Sequence, residues 1–340
     1  SSRRRHTRLL TVTGVQTCAL PISLASLAQG AWPPANEAPH DARTWLQRSQ
    51  DAASKRNYLG TLVVTANGVT STSRLAHFNE GGVQGERVDW LDGERRTMIR
   101  LNESVQTFWP RSRLAVVEPV DARASFPGLF AQSGKGLLDN YEWRRLGRDR
   151  VAGLDADVVM LKARDALRYS QRLWSESASG LLLRAEVLAA GGQVLESVGF
   201  TEVNLGVKSQ LDGLQAALRQ TDGYRVARPT ATKASLEAEG WQLAALPAGF
   251  REIQCARRVL GPANDPRSPV VLQAIFGDGL THVSAFIEPF DPERHQVRSA
   301  PPMGATNTLG FRRESHWITV VGDVPAETLQ RFADALTRRH

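Results

Sequence analysis

Residues 168–203 read RYSQRLWSESASGLLLRAEVLAAGGQVLESVGFTEV, and this stretch decides the fold. Apolar and polar residues alternate over residues 181–189 and again over 193–203, and Gly191-Gly192 joins the two runs. Alternation of this kind is typical of antiparallel strands that bury one face and expose the other. We therefore predict a hairpin of two long strands, in a sheet built to carry a ligand rather than to transform one.

The sequence that precedes this hairpin predicts more antiparallel strands. Asn67-Gly68 and Asp92-Gly93 each stand between two strand-like runs, and both dipeptides favour a type I′ turn because they tolerate positive φ. Asp41 is predicted to cap an amphipathic helix, and residues 121–142 are predicted to form a loop with a short helix. Further strands are predicted at residues 104–109, 113–118, 141–146 and 156–163, with a bend over 148–153.

The domain organisation follows from a change in composition. Residues 220–234 lose the apolar periodicity and are rich in small and polar residues, which predicts an exposed linker. Residues 41–219 then form a first domain, and residues 235–340 form a smaller antiparallel sheet with a C-terminal helix. The predicted fold class is α+β and mainly antiparallel β.

The first 40 residues stand apart from this pattern. Residues 1–22 carry four arginines and no acid, and threonines and a glutamine interrupt what would be the apolar core of a signal peptide. They resemble a peptide translated from a sequencing adapter, so we predict an artefact. Residues 23–40 are predicted to hold the end of an export signal and a proline-rich leader.

The net charge and the number of cysteines argue against a nucleic-acid-binding protein and against a disulfide-stabilised one. The net charge of +7 falls to +3 without the four arginines of residues 1–22, and this ordinary balance argues against a nucleic-acid partner. Only Cys255 remains outside that segment, so we predict no internal disulfide.

Catalytic and cofactor motifs are not found in the sequence. No serine stands in a G-x-S-x-G turn, and the histidines show neither H-E-x-x-H nor zinc-ligand spacing. Residues 128–136 (GLFAQSGKG) depart from a phosphate loop in spacing and lack its hydroxyl residue. Asp155 and Asp157 are more typical of a strand end than of a catalytic pair. We therefore predict a protein that is not an enzyme and that binds no cofactor or metal.

Large aromatic and apolar residues supply the better functional candidates, as the lining of a lipid cavity between a curved sheet and its covering loop. An ordinary core remains the alternative for each of them. A basic run, Arg144, Arg145, Arg148 and Arg150, is either a solvated face or a contact for anionic headgroups or an acidic partner. The cavity candidates are Phe108, Trp109, Phe126, Leu129, Phe130, Trp143 and Trp174, with Leu137 and Leu138 beside them.

Short motifs in a fixed order resemble the RseB/MucB family of sigma-E regulatory proteins from residue 41 onward. In the first domain they are Asn57-Tyr58-Leu59-Gly60-Thr61, Arg74-Leu75-Ala76-His77, Leu91-Asp92-Gly93, residues 148–153, Arg168-Tyr169 and Leu173-Trp174. In the second they are residues 246–250, Asp278-Gly279-Leu280, Phe286-Ile287-Glu288, residues 304–307 and residues 319–325.

The resemblance implies a fold and a role. The fold is an unclosed half-barrel around helices, similar to the lipoprotein carriers LolA and LolB, followed by the smaller sheet with its helix. The role is that of a periplasmic protein that binds the periplasmic domain of an RseA/MucA-like anti-sigma factor, shields it from proteolysis and releases it on binding lipid or lipoprotein acyl chains. A plain lipid or lipoprotein carrier is the alternative. The partner-binding residues are unknown, and the oligomeric state is left open, a homodimer included.

Overall fold

The computed structural model describes residues 39–119, 125–130, 136–229, 231–259, 270–295 and 299–339. The predictions for residues 1–38, and part of those for residues 121–142, lie outside this range. The elements of the first half are α1 (Pro39–Lys55), β1 (Tyr58–Ala66), β2 (Val69–Glu80), β3 (Val83–Trp90), β4 (Thr97–Leu101), β5 (Ser104–Trp109), β6 (Leu114–Pro119), α2 (Leu137–Asn140), β7 (Tyr141–Val151), β8 (Leu154–Ala163), β9 (Ser170–Glu176), β10 (Leu182–Leu188), β11 (Val194–Leu205), α3 (Leu211–Arg219) and β12 (Arg225–Ala227).

These strands form one long sheet in the order β12-β6-β5-β4-β3-β2-β1-β11-β10-β9-β8-β7. Neighbouring strands are antiparallel, apart from the parallel pair β12 and β6. Because the two end strands β12 and β7 do not pair with each other, the sheet is unclosed. The hairpin predicted from residues 181–203 is its β10–β11 pair.

The turns show where sequence patterns predict well and where they do not. Asn67 and Gly68 have φ of 50° and 75°, as a type I′ turn requires. The type I′ turn predicted at Asp92-Gly93 is wrong. A longer loop joins β3 to β4, only Gly93 of that dipeptide has positive φ, and the Asp92 carboxylate accepts a bond from the Thr72 backbone N–H.

Two other local predictions need correction. The bend predicted over residues 148–153 is a tight turn at Ala152-Gly153, because β7 continues to Val151 in register with β8. Helix α1 begins at Pro39, so Asp41 lies inside its first turn rather than at the cap.

The helices contribute to separate apolar clusters of the first half. In α1, Ala52 and Ala53 are buried with Tyr58 at the start of β1. In α3, Leu211 and Leu214 are buried against the strands β2 to β5. Gly85 permits this close approach, because a Cβ atom there would overlap the side chains of both leucines.

The second half is a smaller antiparallel sheet with its own core. The C-terminal helix buries Leu329 and Phe332 against this core, which includes Ile318 and Phe276. The sheet order is β13-β15-β16-β17-β20-β19-β18, and β14 pairs with β21. The elements are β13 (Ala231–Lys233), β14 (Trp241–Leu243), β15 (Arg251–Val259), β16 (Val270–Gly277), β17 (His282–Pro289), β18 (Ser299–Met303), β19 (Thr306–Arg313), β20 (His316–Gly322), α4 (Ala326–Ala335) and β21 (Leu336–Arg338). The predicted fold class, an unclosed antiparallel sheet followed by a smaller sheet with a C-terminal helix, is confirmed.

The segment between the two sheets is more ordered than an exposed linker. Within residues 220–234, β12 pairs with β6 of the first sheet, and β13 pairs with β15 of the second. The described residues from 39 onward form one compact unit by backbone contacts. The segment is therefore joined by strand pairing to both sheets.

Candidate functional site

Four of the predicted cavity residues, Phe126, Leu129, Phe130 and Trp143, belong to one cluster that includes residues of α1 and of strands β8 to β10. Phe130 is 1% exposed, and its ring meets that of Trp45 edge-on at a centroid distance of 5.6 Å. Leu129 and Trp143 are partly buried against the same cluster, which includes the fully buried Leu161. The other neighbours predicted from sequence, Leu137 and Leu138, are buried and half-buried respectively.

Phe126 and Trp174 extend this apolar region. Phe126 packs against two clusters and lies 5.6 Å from Phe200, centroid to centroid. Trp174 is buried, and its indole N–H donates to the Asp149 carboxylate at 2.9 Å. The guanidinium groups of Arg172 and Arg184 lie 5.2 and 4.9 Å from the Trp174 ring centroid. Trp174 therefore lies between a buried apolar cluster and the side chains of Arg172 and Arg184.

Phe108 belongs to a different cluster. It is buried with Leu211 and Leu214 of α3, and Tyr224 meets its ring edge-on at 5.5 Å. Trp109 is the next residue of β5 and is half-buried, and consecutive strand residues point to opposite faces. The structure thus distributes the seven candidates over separate clusters and both faces of the sheet.

A row of polar side chains crosses strands β1 to β4. Tyr58, His77, Glu86 and Arg100 are successive cross-strand partners, so they share one face of the sheet. The His77 ring stacks on Tyr58 at 4.9 Å, and its Nδ1 donates to the Arg56 carbonyl at 2.9 Å. Burial lowers the pKa of His77, and it raises the pKa of Glu86 against the opposing charge of Arg100.

His77 predicts a pH dependence of stability. Its folded pKa lies below the ordinary value of 6.5, so the unfolded chain binds more protons at mildly acidic pH. Stability should therefore fall as the pH drops through 6.5 toward the folded pKa. We expect His77→Gln to lose less stability than the wild type between about pH 7.5 and 5.5, measured by urea unfolding. Equal losses in the two proteins would contradict the assignment to His77.

A buried charged network joins the two halves of the chain. The side chains of Arg168 and Asp278 are 0% exposed, and Nη1 of Arg168 donates to Oδ2 of Asp278 at 2.6 Å. The Tyr141 hydroxyl donates to the same oxygen at 2.9 Å. The other Asp278 oxygen accepts the backbone N–H groups of Leu280 and Thr281, each at 2.9 Å. Burial raises the pKa of Tyr141, and the negative charge of Asp278 raises it further, so the phenol stays a donor.

Other bonds continue this network between the sheets. Thr328 Oγ1 of α4 donates to the Leu167 carbonyl at 2.8 Å, and the Asn307 amide donates to the Tyr169 hydroxyl at 3.1 Å. Sequence reasoning named Arg168-Tyr169 and Asp278 only as motifs of a family and missed their contact. The sequence held one indication of this contact: both halves contain short polar motifs that no local turn or cap explains.

A basic cleft of about 920 Å³ runs along α1. Its cations outnumber its single acid, Asp51, which pairs with Lys55 at 3.1 Å. Arg48 fixes one wall by donating to the carbonyls of Ser177 and Ala178, each at 2.6 Å. The lining residues are Arg43, Thr44, Gln47, Arg48, Asp51, Ala52, Lys55, Arg56 and Ser179.

The described part of the chain shows neither a metal-binding cluster nor a reactive cysteine. It contains no group of three or more His, Cys, Asp or Glu residues arranged to hold a metal ion. Burial raises the pKa of the Cys255 thiol to about 11, so this cysteine is a poor nucleophile. Among the described helices, none is long and apolar enough to cross a membrane.

Two family profiles match consecutive parts of the chain. The profile described as the MucB/RseB N-terminal domain matches residues 41–235, and that of the MucB/RseB C-terminal domain matches residues 235–337.

Characterised relatives and solved structures agree with these profiles. The sigma factor AlgU regulatory protein MucB of Pseudomonas aeruginosa is 31% identical over 306 residues, which cover 86% of this chain and 90% of MucB. The sigma-E factor regulatory protein RseB of Escherichia coli is 26% identical, with 85% and 88% covered. MucB in the P. aeruginosa MucA/MucB complex superposes with a TM-score of 0.67 at 28% identity, covering 88% of this chain and 99% of that one. A structure of MucB with MucA(peri) gives a TM-score of 0.65, also at 28% identity, with 88% and 100% covered.

Proposed function

The chain belongs to the MucB/RseB family, and on this premise we propose that it is a periplasmic negative regulator of a sigma-E-type envelope stress response. It binds the periplasmic segment of a membrane anti-sigma factor and protects that segment from proteolysis. Lipid or lipoprotein signals release it. The observation that carries the proposal is the match of both halves of the chain to MucB in a complex with MucA.

The buried network supports communication between the two halves. Arg168 and Asp278 lie 110 residues apart in sequence, yet their ion pair is fully buried where the two sheets meet. A ligand that moves one sheet must therefore disturb contacts of the other. Coupling between two sites is typically about 1–3 kcal/mol, and an acyl chain contributes about 0.8 kcal/mol per buried CH₂ group. Release of the partner then requires that lipid bury a few more CH₂ groups in the partner-free state than in the partner-bound state.

A lipid or lipoprotein carrier is the second candidate. The unclosed sheet and the apolar cluster around Phe130 favour it, because both suit a protein that takes up an acyl chain. A carrier has no evident need for the second sheet, which has a complete core of its own around Phe332. The regulator is therefore the preferred function.

Binding with and without lipid separates the two functions. We expect the full chain to bind the periplasmic segment of its organism's MucA-like anti-sigma factor, and a lipid A or lipoprotein fragment to weaken that binding about 5- to 150-fold. Isothermal titration calorimetry measures both quantities, and a scrambled segment is the control. Lipid binding without affinity for the segment would favour the carrier. Affinity that saturating lipid leaves unchanged would contradict release by lipid.

A further inference from the structure

Strand β7 is the long open edge of the first sheet. It spans 11 residues and, among the described strands, pairs with β8 alone, whereas the opposite edge strand β12 has three residues. An edge strand presents backbone N–H and C=O groups with which another extended chain can pair. The predicted basic run lies on this strand, at Arg144, Arg145, Arg148 and Arg150.

A small polar pocket of about 180 Å³ lies beside this edge. Trp143 lines this pocket, and its indole N–H is buried without a hydrogen-bond partner among the described residues. The neighbouring Trp45 differs, because its indole N–H donates to Ser175 Oγ at 3.0 Å. A buried donor without an acceptor is costly, so this pocket favours a ligand that brings an acceptor oxygen. Its lining is Thr44, Trp45, Arg48, Trp143, Arg145, Asp157 and Val159.

The charges around the pocket specify an anionic ligand. Arg145 and Arg148 share one acid, Asp157, at 3.1 and 3.5 Å. Their side chains are 43% and 74% exposed, so both can reach a second anion. Thr44 and Arg48 line both this pocket and the basic cleft along α1. Pocket and cleft together form one basic trough that ends at the β7 edge.

We propose that β7 and the basic trough bind an extended acidic peptide, which adds a strand to β7 and places a carboxylate against the Trp143 indole N–H. The inference rests on the proposed function in that the peptide is a segment of the anti-sigma partner. A lipid headgroup would satisfy the arginines but not the row of backbone groups along β7. A second copy paired through β7 would bring two arginine runs together, and like charges repel.

The Trp143→Phe variant tests the pocket. Phenylalanine keeps an aromatic ring and removes the unpaired donor, but it is also smaller than the indole, so the stability of the variant is measured beside its affinity. We expect affinity for the partner's periplasmic segment to fall at least fivefold, because a bond to a charged acceptor is lost. The control is Trp317→Phe in the second sheet, outside the trough, where the indole N–H already donates to Thr319 Oγ1 at 3.2 Å. Unchanged affinity of the Trp143→Phe variant would overturn the carboxylate site.

Opposite charge changes test the trough by calorimetry on the full chain. We expect Arg145→Gln with Arg148→Gln to weaken binding of the segment about tenfold, and Asp157→Asn to tighten it, since it removes the competing acid. Misfolding cannot produce the second effect. The matched control is Arg95→Gln with Arg111→Gln, two exposed arginines in other loops.

Wild-type binding that neither trough variant changes would overturn this inference and leave the proposed function intact. If the wild-type protein does not bind the segment, both the proposed function and this inference are contradicted. Loss of affinity for anionic lipid vesicles alone would assign the trough to headgroups and also overturn the proposal.

Discussion

Replacing Arg168 by methionine should lower the free energy of unfolding by about 3–5 kcal/mol, because it leaves a buried carboxylate without its counter-charge. Asp278 is 0% exposed, and the remaining donors to it are neutral: one phenol and two backbone N–H groups. The Arg168 guanidinium also donates to Asp165 and to the Ala248 carbonyl, so these acceptors lose a partner as well. Urea unfolding of the full chain measures the loss.

Two further variants establish the cause. In Arg184→Met the partner Glu186 keeps its bond from Arg172, so we expect a loss below about 1 kcal/mol. Asp278→Asn combined with Arg168→Met removes both charges but keeps an oxygen for the backbone N–H groups, and part of the stability should return. A loss as small for Arg168→Met as for Arg184→Met would contradict a buried network between the sheets.

Phe130→Ala should lower the free energy of unfolding by a similar amount, about 3–5 kcal/mol, because it opens a cavity in a closed apolar cluster. The ring is 1% exposed and meets Trp45 and fully buried leucines. Trp109 is a matched comparison, since it is also an aromatic cavity candidate but is half-buried at the end of β5. We expect Trp109→Ala to cost less than half as much in the same urea unfolding experiment.

The variants Phe130→Ala and Trp109→Ala also show whether each side chain belongs to the closed core or lines an open cavity. A Phe130→Ala protein as stable as the wild type would mean that the ring borders an open cavity, as the sequence-based interpretation proposed. Binding of a fluorescent fatty acid gives the second measurement. Loss of this binding in Trp109→Ala, with stability retained, would assign Trp109 to the lipid site.

Local patterns in the sequence predict local structure, and the fold class followed from them. The alternation over residues 181–203 and the Asn67-Gly68 dipeptide act within a few residues, so the strands β10 and β11 and the β1–β2 turn could be predicted. Asp92-Gly93 shows the limit of this approach. The Asp92 side chain accepts a bond from Thr72 of another strand, and a dipeptide pattern does not contain that contact.

The candidate site depends on contacts between distant residues. Phe108 and Trp109 were grouped together although they are adjacent on one strand, and the alternation of side chains alone separates them. Arg168 and Asp278 meet across 110 residues, and no spacing rule in a single sequence predicts such a pair. The orphan indole N–H of Trp143 likewise depends on which acceptors surround it in the folded chain.

The strand pairing of residues 225–233 limits how far the two sheets can move apart. β12 ends at Ala227 and β13 begins at Ala231, and four residue steps of fully extended chain span at most about 14 Å. A wider separation must first detach β12 from β6 or β13 from β15. Large domain opening is then a partial unfolding reaction rather than a free hinge motion, because it must break a three-residue strand pair as well as the buried contacts of Arg168.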